Sequence, residues 1–71
     1  MRPLSDAEMM VYRALDPVRE IHGAGMAAKV GISPGWASTL LGRLARMGLA
    51  RKRTARSRSD PFTRYAMWRR V

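Results

Sequence analysis

An α+β fold, with three short helices followed by a two-stranded β-hairpin, is predicted for these 71 residues. Three observations predict it. Two helix-start signatures, Ser5-Asp6-Ala7-Glu8 and Ser33-Pro34, each precede apolar residues at helical spacing. Gly31 and Gly48 stand where the second and third helices should stop. After Gly48 the period changes, and two strand-like segments flank a turn-forming stretch.

The first helix is expected over about 5–15. Ser5 and Glu8 form a capping box, in which each side chain satisfies a backbone N–H of the other's residue. Leu4 and Met9 fit a hydrophobic staple, and Ala7, Met10, Val11, Ala14 and Leu15 recur at helical spacing. Asp16-Pro17 ends or re-starts the helix, because proline disfavours helical geometry in the residue before it. A short second helix follows from about Gly23 to Val30, with Met26, Ala27 and Val30 inward and Ile32 closing the core after Gly31. The third helix runs over about 34–47. Ser33 is its N-cap, Pro34 occupies the first position where a missing N–H costs nothing, and Gly48 ends it. Ala37, Leu40, Leu41, Leu44 and Met47 share its buried face. The opposite face carries Gly35, Thr39, Gly42 and Arg46, flanked by Ser38 and Arg43. Leu49–Arg56 reads as one strand, Ser57–Pro61 as a turn, and Phe62–Arg69 as the returning strand. Tyr65 and Met67 are expected to close the core, with Trp68 facing the other way. Helix, helix, helix and hairpin in this order describe a winged helix-turn-helix, with the second and third helices as the helix-turn-helix pair.

The length predicts one small domain, residues 1–71, with a modest core. There is no cysteine, and the single histidine, His22, cannot build a zinc site alone. No cofactor or metal is expected. His22 reads as a structural residue near the second helix, and the six methionines read as core filler. The carboxylates form no catalytic pair and no glycine-rich phosphate loop is present, so the protein is not expected to be an enzyme. The apolar runs are too short for a membrane span, and no signal peptide follows Met1-Arg2-Pro3, so a cytoplasmic, nucleoid-associated location is expected.

Charge is the sharpest functional signal. The net charge is +9, yet residues 1–42 carry four basic and four acidic groups, whereas residues 43–71 carry ten basic groups against Asp60 alone. A neutral half joined to a cationic half reads as a polyanion-binding surface. Twelve of the fourteen basic residues are arginine, whose planar fork suits phosphate and guanine. Genome composition accounts equally well for arginine over lysine, but not for the clustering.

Two groups of residues become candidates for contact with double-stranded DNA. On the third helix they are Ser33, Gly35, Trp36, Ser38, Thr39, Gly42, Arg43 and Arg46. Gly42 costs a helix interior about 1 kcal/mol relative to alanine, so its presence calls for a reason. Either it allows close approach to DNA, or it makes room for a neighbour within the fold. Trp36 is either a groove or partner contact, or it packs against the second helix or the wing, with packing preferred. Arg43 and Arg46 are better phosphate clamps than base readers, because most such contacts go to the backbone. On the hairpin the candidates are Arg51, Lys52, Arg53, Arg56, Arg58 and Arg64, placed to follow a phosphate backbone with the tip at the minor groove. A solvated edge that resists aggregation needs only one or two charges, so six favour function.

Ser33-Pro34-Gly35, Leu40-Leu41, Arg43-Leu44 and Gly48-Leu49 resemble the recognition-helix signature of PadR-type winged-helix regulators. His22-Gly23 and Arg64-Tyr65-Ala66-Met67 are similar to that family's pair before the second helix and its second wing strand. MarR-type regulators share a looser version. The resemblance covers about Leu4 to Trp68 and implies a DNA-binding transcriptional regulator, with Gly35, Ser38 and Thr39 facing the groove and Arg56 to Arg64 forming the wing. Two positions depart from the pattern: Ser38 replaces the family's usual aromatic, and Trp36 stands where a small polar residue is common. The C-terminal dimerisation helices of PadR-type proteins have no counterpart before Val71, so no small-molecule effector is expected. A second copy or another protein remains a candidate partner, with Met9, Met10 and Tyr12 as the residues of interest on the first helix. Competing functions are a protein-docking winged helix using Trp36 and Trp68, an architectural or recombination-accessory DNA-binding protein, and RNA binding.

Overall fold

Ser5 starts the first helix in the way its sequence requires. In the computed structural model, which describes residues 2–60 and 62–71, Ser5 Oγ accepts the Glu8 N–H at 3.2 Å and Glu8 Oε1 accepts the Ser5 N–H at 2.9 Å. Met1 and Pro61, the last residue of the expected turn, lie outside the described residues. Helix α1 spans Asp6–Ala14 and ends on the extended Leu15. Asp16 then turns the chain: its Oδ1 accepts the N–H groups of Val18 and Arg19 at 2.7 and 2.8 Å. These bonds favour the charged carboxylate and hold its pKa below the usual value.

Strand β1, Ile21–His22, adds a third strand to the expected two-stranded hairpin. It pairs antiparallel with the last strand, Ile21 opposite Trp68 and His22 opposite Met67, and makes a three-stranded sheet. Two residues are too few to show a strand period, and the partner lies more than forty residues away along the chain. His22 also caps helix α2 (Gly23–Val30), its Nδ1 accepting the Gly25 N–H at 2.9 Å. Gly31 ends α2 in the left-handed region at φ 76°, where a Cβ would be strained.

Helix α3 spans Pro34–Arg46, with Ser33 Oγ accepting the Trp36 N–H at 3.2 Å. Gly48, also at φ 76°, turns the chain out, and the Leu49 N–H returns to the Leu44 carbonyl at 2.9 Å. Strands β2 (Ala50–Arg56) and β3 (Arg64–Arg70) form the hairpin, in the sheet order β1-β3-β2.

The core joins Val11 and Leu15, Met26 and Ala27, Ala37, Leu40, Leu41 and Leu44, and, from the sheet, Ala50 and Trp68. Trp68 is 6% exposed, which corrects its expected outward placement, and Tyr65, expected inside, is 43% exposed. Met67 is only half-buried. Both alternations along β3 offered apolar residues: Tyr65 and Met67, or Ala66 and Trp68. Burying the indole removes the larger apolar area from water, and pairing with Ile21 fixes the register that turns it inward. The returning strand also begins two residues later than expected, leaving Phe62 93% exposed at the tip. The molecule measures 40 × 23 × 18 Å, with the helices against one face of the sheet. No described helix is long and apolar enough to cross a membrane.

Candidate nucleic-acid interface

The hydrophobic packing of α3 determines what it shows outward. Ala37, Leu40, Leu41 and Leu44 are all fully buried. At 100° per residue this directs Gly35, Thr39, Gly42 and Arg46 away from the core. Gly35, Thr39 and Arg46 are exposed, and Gly42 is partly so. A Cβ built on Gly35 or Gly42 meets nothing within 4 Å, so neither glycine makes room for another element among the described residues. Thr39 Oγ1 donates back to the Gly35 carbonyl at 3.0 Å, which lies its side chain along the helix. The result is an open, low-relief face.

The rim of that face is firmer. Trp36 is 40% exposed. The Arg43 guanidinium, two turns along, lies over the indole 5.3 Å from its centroid. Ser33 and Ser38 are exposed at the start of the helix, and Ser38 sits beside Gly23 at the start of α2.

The hairpin collects the remaining cations. Arg51, Lys52, Arg53, Arg56, Arg58 and Arg64 are all exposed. Strand register places Arg56 directly opposite Arg64, and Arg51 directly opposite Arg69. Like charges facing across a strand pair destabilise it. Alternation puts Arg56 and Arg64 on the same side of the sheet as Trp68, the side that carries the helices, but beyond the core at the far end of the hairpin. Arg51 and Arg69 lie on the other side. Lys52 reaches over the Trp68 ring, 5.7 Å from its centroid.

Arg53 differs from its neighbours. Its Nε and Nη2 donate to Glu20, with the shortest contact 2.7 Å. The guanidinium holds the Glu20 carboxyl below its ordinary pKa. Among the described residues, Arg53 is the one basic side chain of residues 43–71 joined to a carboxylate. The structure therefore keeps thirteen of the fourteen expected site residues free of acidic partners and ties the fourteenth to the segment before β1.

Two features escaped the sequence. Arg69 joins the cationic set only through its register with Arg51, which no local pattern reveals; one of its guanidinium nitrogens also donates to the Pro17 carbonyl at 3.2 Å. Glu8 is not only a cap. It is fully buried and accepts two hydrogen bonds from Arg2, at 2.7 and 2.6 Å, and Arg2 together with the Ser5 N–H lowers its carboxyl pKa to about 2. Arg2 at position i and Glu8 at i+6 match no helical pairing rule.

Three helices, a helix-turn-helix pair and a basic hairpin paired to a short third strand define a winged helix-turn-helix fold. Solved structures of transcriptional regulators share it. A possible transcriptional regulator from Methanosarcina mazei Go1 superposes with a TM-score of 0.84 at 10% identity, covering 96% of this chain and 57% of that one. PcaV from Streptomyces coelicolor, solved with its natural ligand, gives 0.73 at 20% identity, with 96% and 45% covered. Lactococcus lactis ZitR in complex with DNA gives 0.70 at 21% identity, with 99% and 44% covered. At these identities the likeness is one of fold, and the chain spans about half the length of the structures it matches. A scan against protein-family models finds no match, and neither does a search of curated proteins.

Proposed function

We propose that this winged helix binds double-stranded DNA as the DNA-reading part of a transcriptional regulator. In this reading α3 enters the major groove through its Gly35–Thr39–Gly42 face, and the hairpin follows the backbone towards the minor groove. The observation that carries it is the facing of Arg56 with Arg64, and of Arg51 with Arg69, across one hairpin. An arrangement that opposes folding is relieved when phosphates sit between the guanidiniums. The fold shared with regulators, one of them solved with DNA, supports the same reading. The narrower PadR-type resemblance rests on sequence signatures alone, those of α3 and Gly48-Leu49, His22-Gly23 and Arg64-Tyr65-Ala66-Met67. Arg53 is the weakest contact of the set, because a phosphate must displace Glu20 to reach it.

The test is the salt dependence of binding to duplex DNA. About six neutralised phosphates give a slope of log affinity against log salt near −5. A flat response rejects the proposal. Reversing the charges of Arg56 and Arg58 should abolish binding; a protein-docking module would be unharmed. Competition with an RNA duplex of equal length separates DNA from RNA, since the deep, narrow major groove of RNA excludes a helix.

A further inference from the structure

The hairpin tip presents an apolar ring inside the most cationic part of the surface. Phe62 is 93% exposed, the highest value among the exposed large hydrophobic residues. Arg58 is exposed in the same turn, and the facing Arg56 and Arg64 stand where the two strands enter it. The turn is internally tied. Asp60 accepts the Phe62 N–H at 3.0 Å and the Thr63 hydroxyl at 2.7 Å, and the Ser57 N–H reaches the Thr63 carbonyl at 3.0 Å. Phe62 N–H and Thr63 are thus anchored to Asp60 and Ser57, while the ring itself stands in solvent.

We propose that Phe62 is a wedge that inserts between base steps from the minor groove and bends the duplex. This rests on the DNA-binding reading and adds a distinct activity to it. The chemistry fits on two counts. An apolar side chain entering a base stack exchanges water for the faces of the bases, and apolar wedges on minor-groove proteins kink DNA in this way. Phosphates held by Arg56, Arg58 and Arg64 would fix the backbone on either side of the opened step. Phe62 is the one exposed large hydrophobic residue among the described residues of the turn, and a single ring is a poor membrane anchor, because stable anchoring takes more than one signal. Flexible pyrimidine–purine steps would open most readily, giving a sequence preference without hydrogen bonds to bases.

The experiment uses the whole chain and two duplexes of about three helical turns, one fully paired and one with a central mismatched step, where part of the unstacking is already done. Wild type should bind the mismatched duplex about tenfold more tightly and should raise the fluorescence of 2-aminopurine placed at a central TA step of the paired one. Phe62→Ala should lose both effects, yet bind the paired duplex within about threefold of wild type with an unchanged salt slope, because the wedge gains burial and loses stacking together. Phe62→Leu should restore most of the mismatch preference. Equal preference in wild type and Phe62→Ala, or a silent 2-aminopurine signal, overturns the wedge and leaves DNA binding intact. Failure of wild type to bind either duplex overturns both. Phe62-dependent binding to phosphatidylserine vesicles with no mismatch preference also overturns it, in favour of a membrane contact.

Discussion

Replacing Gly42 by alanine should move stability and DNA affinity in opposite directions. Gly42 lies inside α3, where glycine costs about 1 kcal/mol relative to alanine. The added methyl meets nothing within 4 Å, so the helix receives the whole benefit with no clash to offset it. For a domain of this size about 1 kcal/mol corresponds to a rise of roughly 4–8 °C in melting temperature. The same methyl stands on the face that the DNA reading puts against the groove floor. Overpacking a fitted contact by one carbon costs about 1–3 kcal/mol, which is about 5- to 150-fold in dissociation constant. Thermal unfolding followed by circular dichroism reads the first effect, and anisotropy of a labelled duplex reads the second. A variant that is stabilised and binds as tightly as wild type removes α3's small-residue face from the interface. A destabilised variant would contradict the open space seen beside Gly42.

Three further perturbations test other parts of the structure. Glu8 has a folded-state pKa of about 2 against an ordinary 4.5, so its contribution is present above about pH 4.5 and is lost as pH falls through about 2; Glu8→Gln should lower stability at neutral pH and flatten that acid limb in urea titrations. Glu20→Gln releases Arg53, and the slope of log affinity against log salt should steepen by about one phosphate's worth, about 0.9; an unchanged slope means that Arg53 never reaches DNA. Leu40→Ala opens a cavity in the centre of the core and should cost about 2–5 kcal/mol. The whole domain is expected to hold only about 4–11 kcal/mol, so a substantial unfolded fraction should appear as a red shift of tryptophan emission, to which the buried Trp68 contributes.

The helices were legible because their signals are local. Ser5 with Glu8, Ser33 with Pro34, Gly31 and Gly48 each act within one turn of their own position, and the structure puts α2 and α3 within a residue of the expected bounds. The exposed face of α3 followed from the same periodicity, since four buried residues fix where the other side points. The sheet was less legible because its determinants are distant. Neither β1 nor the direction of Trp68 can be read without knowing that Ile21 pairs with Trp68. The same holds for charge. Composition identified the cationic half, but whether an arginine is free, paired to Glu20 or set against another arginine depends on register and on a segment thirty residues away. The Arg2–Glu8 pair was hidden for a related reason: a capping glutamate satisfies every local rule before a second partner arrives.

The two facing arginine pairs imply a last asymmetry between free and bound protein. Arg56 and Arg64 stand directly opposite each other, on strands that bury little beyond Ala55 and Ala66 at that end. Removing one charge with Arg64→Gln should relieve the repulsion and stabilise the free domain by about 0.2–1 kcal/mol, the range of a cross-strand pair. The gain should shrink as salt is raised towards about 1 M, where the Debye length falls to about 3 Å, shorter than the spacing of facing side chains. In the complex the sign reverses. A lost phosphate contact makes the salt slope shallower by about 0.9 and weakens binding most at low salt. Ligand linkage makes this visible in one assay, because duplex at a hundred times its dissociation constant stabilises the folded state by about 2.7 kcal/mol. The wild type should therefore melt below Arg64→Gln without DNA, and above it when both are held at one duplex concentration near the wild-type dissociation constant times a hundred. If Arg64→Gln melts lower in both conditions, the arginine pair is stabilising in the free protein and is not a phosphate cradle, and the hairpin loses its strongest claim to the DNA backbone.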